Sequence, residues 1–389
     1  MKYIFLSVTA IFASLLLTSA PAIAQDGADA GGKPALDLSA ELSLDGVAVV
    51  SGGDRTGTRQ VSVLTHSADA DLEQSFGWRG VTAHADVLLN VGQEPNDLVG
   101  SVQGVNNVAA GNRDVRLFQA WLEASIGAAN NFRIGLTDLN SEFDASDSAG
   151  LLVGPSYGIG PEFSATGPVG PSIYPSTALG ARWRFKPSEA TYLQAAVFNA
   201  QAGVPGDRGG VDFSSDEGLL VVGEAGWTGR GKFGVGAWSY TERRDDIRDL
   251  TPAGNPRLRR SQGAYVLGET SLAKNVTAFV KAGVSDGRTT DVAASWQTGA
   301  LIGPVFAGRA ESQFSVGVAQ ARFASRARAN AADLGLSMGR AETQFELTYS
   351  DKLVEHIAFQ PDVQYIVRTY GRKDVKNALV VGARLVAGF

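Results

Sequence analysis

The sequence predicts an all-β protein that folds as a closed antiparallel transmembrane β-barrel of about 16 strands. Apolar and polar residues alternate with a period of two along most of the chain, the alternating runs are even in number, and several connections are tight while others are long. A membrane β-strand needs only about 9 to 11 residues with every second one apolar. A mean hydropathy of −0.02 is therefore compatible with a membrane-spanning chain.

The alternation is clear at both ends of the chain. From Leu36 to Asp45, leucine and alanine alternate with aspartate, serine and glutamate. A strand with this pattern has one apolar and one acidic face, whereas a helix would place carboxylates all around its axis. The pattern recurs from Val276 to Ser285 and from Ala341 to Tyr349. The sixteen candidate strands cover residues 36–50, 58–69, 75–91, 113–127, 131–141, 176–187, 189–200, 216–229, 231–243, 257–272, 274–286, 291–303, 310–324, 338–351, 355–368 and 376–389.

Tight and long connections are expected for the periplasmic turns and external loops of such a barrel. Tight connections are predicted near residues 186–189, 228–232 and 273–275, and long ones at 142–175, 201–215 and 244–256. A soluble β-sandwich or soluble barrel is the alternative, but sandwich strands are usually 5 or 6 residues long and enclose large aliphatic side chains. Here many runs are longer, and the faces opposite the apolar ones carry many charges.

The last strand, Asn377 to Phe389, has an apolar face that ends on Phe389 and carries Arg384 on its other face. We expect the apolar face to contact lipid and the strand to pair with the first one, since open edges are not tolerated in hydrocarbon. A terminal aromatic residue on the lipid-facing side resembles the signal that outer-membrane barrels present to the machinery that inserts them.

Residues 1–24 are predicted to be a cleaved signal peptide, with a basic Lys2, a mostly apolar stretch from Ile4 to Leu17 and small residues at Ala22 and Ala24. A membrane anchor is the alternative, but the apolar stretch is shorter than the roughly 20 residues needed to span a bilayer. Residues 25–35 would form a short periplasmic segment before a barrel domain at 36–389. The protein is thus expected in the outer membrane of a Gram-negative bacterium.

Composition excludes several function classes. The absence of cysteine excludes disulfide-stapled scaffolds and thiol mechanisms. Without Lys2, 33 of the 34 Lys and Arg residues face 40 Asp and Glu, a net charge of −7 that does not favour nucleic acid. His66, His84 and His356 lie on separate strands or strand edges without a nucleophile motif, so we expect no catalytic residue, no metal and no cofactor. A barrel enzyme is the less favoured alternative.

Several blocks of the sequence resemble the carbohydrate-selective porins of the OprB family. They are Gly100 to Asn107 (GSVQGVNN), Leu117 to Glu123 with Gly135 to Asp144, Tyr174 to Arg184, and Ala341 to Arg368 followed by NALVVGARLVAGF. The resemblance implies a 16-stranded outer-membrane barrel that passes sugars by diffusion. The strand count agrees with this independently, and barrels of about 16 to 18 strands leave a water-filled lumen.

Selectivity in such a lumen requires a narrow part. In porins of this size the connection between the fifth and sixth strands folds into the barrel, so we expect residues 142–175 to form an inward-folded loop that carries Glu142 and Asp144. A loop over the external mouth is the alternative. Strand parity also predicts inward-facing wall residues, although the same parity turns Leu117 inward. The predicted pore-lining wall residues are Gln119, Trp121, Glu123, Arg133, Arg182, Arg184 and Lys186.

Fixed cations that face fixed anions can replace the hydration of a neutral sugar, whose hydroxyls both donate and accept hydrogen bonds. The ring of Trp121 could lie against the apolar face of a pyranose. We therefore expect passive diffusion of monosaccharides or short oligosaccharides, with lipid and lipopolysaccharide around a monomer or trimer. A general or ion-selective diffusion porin is the alternative function, and compensating charge pairs that only stiffen the wall are the alternative role for the named residues.

Overall fold

The computed structural model describes residues 34–111 and 113–389. The predicted signal peptide and most of the segment 25–35 lie outside these ranges, so both assignments stay predictions. Among the described residues, no helix is long and apolar enough to cross a membrane.

The described residues form one closed barrel of sixteen strands, in which every strand pairs with its neighbours in the sequence. The predicted fold class and strand number are confirmed. The strands are β1 (Leu36–Ser51), β2 (Gly57–Asp71), β3 (Val81–Gly92), β4 (Asp114–Ile126), β5 (Asn130–Thr137), β6 (Ala178–Ser188), β7 (Thr191–Asn199), β8 (Leu219–Thr228), β9 (Gly231–Leu250), β10 (Pro256–Ala273), β11 (Val276–Ser285), β12 (Val292–Ile302), β13 (Gln313–Phe323), β14 (Ala341–Val354), β15 (Ile357–Val367) and β16 (Ala378–Gly388).

The barrel closes between β1 and β16, as the terminal strand predicts. Leu42 pairs with Ala387 and Asp45 with Arg384 in an antiparallel register. The Arg384 Nη2 donates to the Asp45 Oδ2 at 2.8 Å, with Asp45 almost fully buried. This ion pair connects the first and last strands on the inner face of the barrel, and it leaves no open sheet edge at the seam.

In the described part of the chain, four short α-helices lie in the connections: α1 (Leu72–Phe76), α2 (Asn96–Val99), α3 (Pro161–Ser164) and α4 (Ser325–Asp333). The first of them corrects the predicted third strand, which was expected to begin at residue 75. The Asp71 carboxylate accepts hydrogen bonds from the amides of Glu73 and Gln74, and Gly77 ends the helix with a φ of 73°. A capped helical turn therefore replaces the start of that strand, since the cap satisfies amides that have no helical partner.

A second correction concerns residues 244–256, which were predicted to be a long loop. Instead β9 continues to Leu250 and β10 begins at Pro256. The Arg259 Nε donates to Asp246 Oδ2 at 3.0 Å across this hairpin, and Arg326 in α4 also contacts Asp246. The mixed charges that looked like a solvated loop stabilise an extended, polar hairpin.

The outer face carries exposed aliphatic residues such as Val235, Val266 and Val280, as expected for contact with lipid. The inner face carries buried polar residues such as Gln344 and Glu346 on β14. Tight turns follow β4, β6, β8, β10 and β14, whereas the opposite end carries longer connections. One of these, residues 138–177 between β5 and β6, is called the long connection below.

Candidate functional site

The inner face of β4, β5 and β6 and the start of the long connection together hold three arginines and two glutamates, which we call the charge cluster: Glu123, Arg133, Glu142, Arg182 and Arg184. Arg182 stands at its centre, where its Nη2 lies 2.7 Å from Glu123 Oε2 and 2.7 Å from Glu142 Oε1. Arg133 adds a contact of 2.8 Å to Glu123. The antiparallel register places Glu123 opposite Arg133 and Arg133 opposite Arg182, so three neighbouring strands bring these charges together.

Burial differs within the charge cluster. The side chain of Arg182 is 2% exposed, whereas that of Arg184 is 30% exposed and lies 3.6 Å from Glu142 Oε1. Arg184 also donates from Nε to the Gln194 Oε1 at 2.8 Å. Lys186 is exposed near the tight turn that follows β6, and within the described residues its side chain forms no ion pair. The structure thus brings five of the predicted site residues together and leaves Lys186 apart.

Trp121 lies next to the charge cluster on the inner face, as parity predicts. Its ring stacks on His84 of β3 with the ring centroids 4.9 Å apart, and the Arg133 guanidinium carbon lies 3.8 Å from its centroid. Because β3 and β5 flank β4 on opposite sides, we infer that the two groups approach the indole from its two faces. The expected stacking of Trp121 on a pyranose is therefore not available, and the ring instead positions Arg133.

Strand β4 reaches this arrangement through a β-bulge that the parity argument missed. Asp86 on β3 pairs with Gln119, but the adjacent Val87 pairs with Leu117, so one residue of β4 is extra. A bulge reverses the parity beyond it. Gln119 consequently faces inward and donates to the Asp86 Oδ2 at 3.0 Å, while Leu117 is exposed rather than inward as expected.

Asp144 lies outside the charge cluster and is almost fully buried in the long connection. Its Oδ2 accepts from the Gly160 amide at 3.0 Å and lies 3.2 Å from the Nζ of Lys281 on β11. The Asp144 amide donates to Glu224 on β8. Desolvation by burial raises the pKa of Asp144, and the Lys281 charge opposes that shift. Protein groups enclose Asp144, and its contacts attach the long connection to the barrel wall.

Other wall carboxylates bind the long connection through its backbone. Glu269 on β10 accepts the amides of Asp147, at 3.1 Å, and Ser148, at 2.7 Å. Glu346 on β14 accepts the Gly154 amide at 3.0 Å and also the amide of Val153. These amide donors satisfy carboxylate oxygens that the connection covers. Nothing in the sequence pattern marked these two glutamates as contacts of the connection.

The long connection also packs against an apolar part of the inner face, on β7 to β10. Phe163 of α3 stacks on Trp238 of β9 with centroids 4.7 Å apart and an interplanar angle of 2°. This apolar cluster contains Leu139, Phe143, Ile159, Phe163, Ala196, Phe198, Ala200, Leu220, Val222, Trp238, Tyr240, Tyr265 and Leu267. These strands are apolar on both faces, so sequence parity could not separate a lumen side from a lipid side.

Glu162 of α3 is buried, and its carboxylate accepts a hydrogen bond from the Ser295 hydroxyl on β12. Burial raises the pKa of Glu162 to about 7, and the nearby charge of Asp144 is the second cause of this increase. A side chain at Gly283 on β11 would collide with this carboxylate, and one at Gly317 on β13 would collide with Tyr157. Glycines at inward positions therefore make room for the connection. Their positions in the sequence are a signal from which its contacts with the wall could have been inferred.

A second connection, between β3 and β4, contacts the inner wall at β1, β14 and β16. Its Ser101 hydroxyl donates to Glu342 on β14 at 2.6 Å, and its Asn106 amide group donates to Asp45 on β1 at 2.6 Å. Asn107 accepts from Arg384 at 2.8 Å. The block GSVQGVNN therefore contacts the barrel seam, which explains why polar residues recur in it.

The model of the carbohydrate-selective porin family OprB matches residues 55–389, which is most of the chain. The chain belongs to the OprB family. It is therefore a porin of the Gram-negative outer membrane, and such proteins are channels rather than enzymes. A search of curated protein sequences gave no match.

Solved structures show the same fold. The high-pH structure of OprB from Pseudomonas putida has a TM-score of 0.83 at 19% identity, covering 91% of this chain and 94% of that one. The low-pH structure of that porin has a TM-score of 0.58 at 16% identity, covering 91% and 93%. The outer-membrane channel DcaP of Acinetobacter baumannii has a TM-score of 0.59 at 12% identity, covering 91% and 97%. These likenesses support the barrel architecture.

The positions of the three histidines in the barrel agree with the assignment as a channel. His84 lies on the inner face between two carboxylates, with Nδ1 2.8 Å from Asp69 and Nε2 2.9 Å from Asp86. His66 is exposed on β2 and shares the parity of the outer face. His356 lies in the tight turn after β14. The three are therefore not brought together in one site. Within the described ranges, no group of His, Asp and Glu is arranged to hold a metal ion.

Proposed function

We propose that this OprB-family porin passes neutral monosaccharides or short oligosaccharides by passive diffusion, along a route bounded by the charge cluster. The observation that carries the proposal is the partial exposure of both charge signs in that cluster. The Glu123 side chain is 22% exposed and that of Arg133 is 14% exposed. Each charge is already held by a partner of opposite sign, so neither needs an ion from solution to be stable.

A wall of this kind suits a solute with many hydroxyl groups. A carboxylate accepts from a sugar hydroxyl and a guanidinium donates to one, so the wall can replace the water around the sugar. The interaction is weak because each charge keeps its protein partner, and weak binding lets the solute leave again. The route we propose follows β4 to β6, past the exposed Ser141 and partly exposed Asn140 of the long connection.

We further propose that the long connection crosses the lumen and narrows it. Its supports are the contacts with Glu224, Lys281 and Glu346, which lie in the middle parts of β8, β11 and β14. A loop over the external mouth would instead contact strand ends. The buried aromatic contact of Phe163 supports the same position.

An anion-selective diffusion pore is the second candidate, and the composition of the charge cluster favours it. Three arginines face two glutamates, and Arg184 is the most exposed of the five. The excess positive charge would attract anions over a distance set by ionic strength, about 10 Å at 0.1 M salt. A preference for anions that disappears at high salt would therefore identify this candidate.

Swelling of proteoliposomes distinguishes the two functions. We expect glucose to enter faster than a zwitterionic amino acid of similar size, because only the sugar presents hydroxyls around its whole surface. Equal rates would remove sugar preference while leaving the pore. Zero-current potentials in a salt gradient, measured on the same samples, report ion preference separately. An Arg184→Ala variant should reduce any anion preference, since it removes the most exposed positive charge of the cluster.

Export and insertion form the remaining part of the proposal. We propose that residues 1–24 act as a cleaved signal and that β16, which ends before Phe389, presents the insertion signal. Phe389 is exposed, and its amide donates to the Ala40 carbonyl at 2.8 Å at the barrel seam. Phe389→Ala should lower the amount of barrel inserted in cells while leaving refolding into detergent intact. Equal insertion of both forms would contradict the proposed signal.

A further inference from the structure

The extended hairpin of β9 and β10 places two arginines directly opposite each other. Arg243 pairs with Arg260 in the antiparallel register, and both side chains are exposed. Like charges at directly opposed positions repel each other and destabilise a strand pair. Among the described residues, neither guanidinium forms an ion pair or a side-chain hydrogen bond, although Asp245 is only two residues from Arg243. This part of the hairpin therefore carries unbalanced positive charge.

The neighbouring arginines of the same hairpin are balanced. Arg244 contacts the carboxylate of Glu217, and Arg259 contacts Asp246 and Asp249. Those two arginines alternate with Arg243 and Arg260 along the strands, so they point to the other side of the hairpin. The hairpin thus has one side on which positive charges are neutralised by protein, and one on which they are left for another partner.

The unbalanced pair lies on the lipid side of the barrel. Along β10, the exposed residues Val266 and Gln262 share the parity of Arg260, and the buried Ser261 has the opposite parity. On β9, a bulge between Ser239 and Arg243 keeps Arg243 in register with Arg260. The two guanidinium groups therefore project outward, in line with the residues that contact lipid below them.

The height of the pair matches the edge of the membrane. Arg260 is ten residues along β10 from Thr270, which pairs with Gly231 at the tight-turn end of the barrel. At about 3.3 Å per residue this is about 33 Å along the strand, or about 25 Å along the axis for a tilt of about 40°. The apolar band of an outer-membrane barrel is about 25 Å tall. The arginines consequently lie at the level of the outer lipid headgroups.

We propose that Arg243 and Arg260 bind a phosphate group of a phosphorylated glycolipid in the outer leaflet of the membrane. Two guanidinium groups side by side match the planar, bidentate recognition of phosphate oxygens. The phosphate removes the repulsion between the arginines, and the acyl chains of the lipid continue down the exposed aliphatic surface at Val266 and Val235. The bound lipid would hold the hairpin upright above the membrane surface.

The test measures binding of fluorescent lipid A to purified porin in EDTA, which removes divalent cations that could bridge the two. The wild type should bind bisphosphorylated lipid A at least tenfold more tightly than the same lipid without its phosphates. Arg243→Ala with Arg260→Ala should lose this difference, and the double lysine variant should keep part of it because lysine keeps the charge without the bidentate geometry. Circular dichroism and heat-modified migration on gels confirm that each variant is folded.

The matched control is Arg230→Ala with Lys274→Ala. It removes two positive charges from exposed tight turns at the opposite end of the barrel. This control should bind lipid A like the wild type. Equal binding by the wild type and the Arg243 and Arg260 double alanine variant would overturn the proposal. Full displacement of lipid A by millimolar inorganic phosphate would also overturn it, since the site would then select free phosphate rather than a lipid.

Discussion

Two parts of the inner wall use different chemistry. On β4 to β6 the inner face, together with Glu142, forms the charge cluster, whose side chains pair mainly with each other and in which Glu123 and Arg184 are partly exposed. On β7 to β10 the inner face carries Phe198, Trp238 and Tyr265, which are buried against the long connection. The same alternating backbone therefore supports a wet wall on one side and a packed, almost dry one on the other.

The difference follows from what covers each part. Apolar side chains on an inner face are stable only if something excludes water from them, and the long connection does this for β7 to β10. A covered charged side chain loses its hydration and needs protein partners, as Asp144 has in Lys281, whereas Glu123 and Arg184 remain partly exposed to water. The wall chemistry thus indicates which side of the barrel remains for solute, and four changes in the chain test that conclusion.

The largest effect is expected from Phe163→Ala, which breaks the packed side. Phe163 is fully buried against Trp238, and removal of a buried phenylalanine costs about 3–5 kcal/mol. The long connection should detach, so that single-channel conductance rises and becomes noisy. Phe213→Ala is the control, because Phe213 is an exposed phenylalanine in the β7–β8 connection. Unchanged conductance in Phe163→Ala would show that the connection does not narrow the channel.

The next largest effect is a pH dependence of how firmly the long connection is attached to this packed side. The pKa of Glu162 is raised from 4.5 to about 7, so the folded connection binds a proton that the detached one releases. Attachment is therefore strongest below about pH 4.5 and weakens as pH rises through 7, by at most about 3 kcal/mol. Both Asp144 and Lys281 face this carboxylate: the Asp144 charge raises the pKa of Glu162, and the Lys281 charge lowers it.

Hydrogen exchange of the amides in α3, corrected for intrinsic rates, measures this dependence. Protection should fall between pH 5 and pH 8 in the wild type and should stay nearly constant in Glu162→Gln, which cannot titrate. Parallel pH profiles for the two proteins would assign the change to another group. The barrel strands serve as the internal reference, because their protection should not follow Glu162.

The charged side of this comparison could be predicted from the sequence. The packed side on β7 to β10 could not, and the reason is physical. Period-two alternation located all sixteen strands, and it brought Glu123, Arg133 and Arg182 to one face because their strands are regular there. It could not interpret β7 to β10, where both faces are apolar. Parity also fails at the β4 bulge, since one extra residue reverses every side chain beyond it.

A third, smaller effect is expected on the wet side from Arg182→Ala. The change leaves Glu123 and Glu142 without their shared partner, at a cost of about 1–3 kcal/mol, moderated by the remaining Arg133. The zero-current potential should shift toward cation preference. Lys186→Ala is the matched control, as it removes a positive charge from the same strand outside the charge cluster. Equal shifts in both variants would indicate a general charge effect instead of a local one.

The smallest stability effect is expected from Arg184→Ala. Arg184 is 30% exposed and its contact with Glu142 is 3.6 Å, so its loss should change thermal stability by less than about 1 kcal/mol. The rate of glucose entry should nevertheless fall, because a donor that faces the proposed route is removed. A variant with unchanged glucose entry and a markedly lower unfolding temperature would make Arg184 a structural residue.

The most direct test of the account asks whether the solute passes along the charge cluster, beside Ser141 of the long connection. The sequence has no cysteine, so Ser141→Cys introduces a single thiol at an exposed point of the connection. A bulky neutral thiol reagent at this position should sharply slow glucose-driven swelling, whereas the same label on Glu355→Cys, in the exposed turn after β14, should not. Full-speed glucose entry through completely labelled Ser141→Cys would contradict the proposed route.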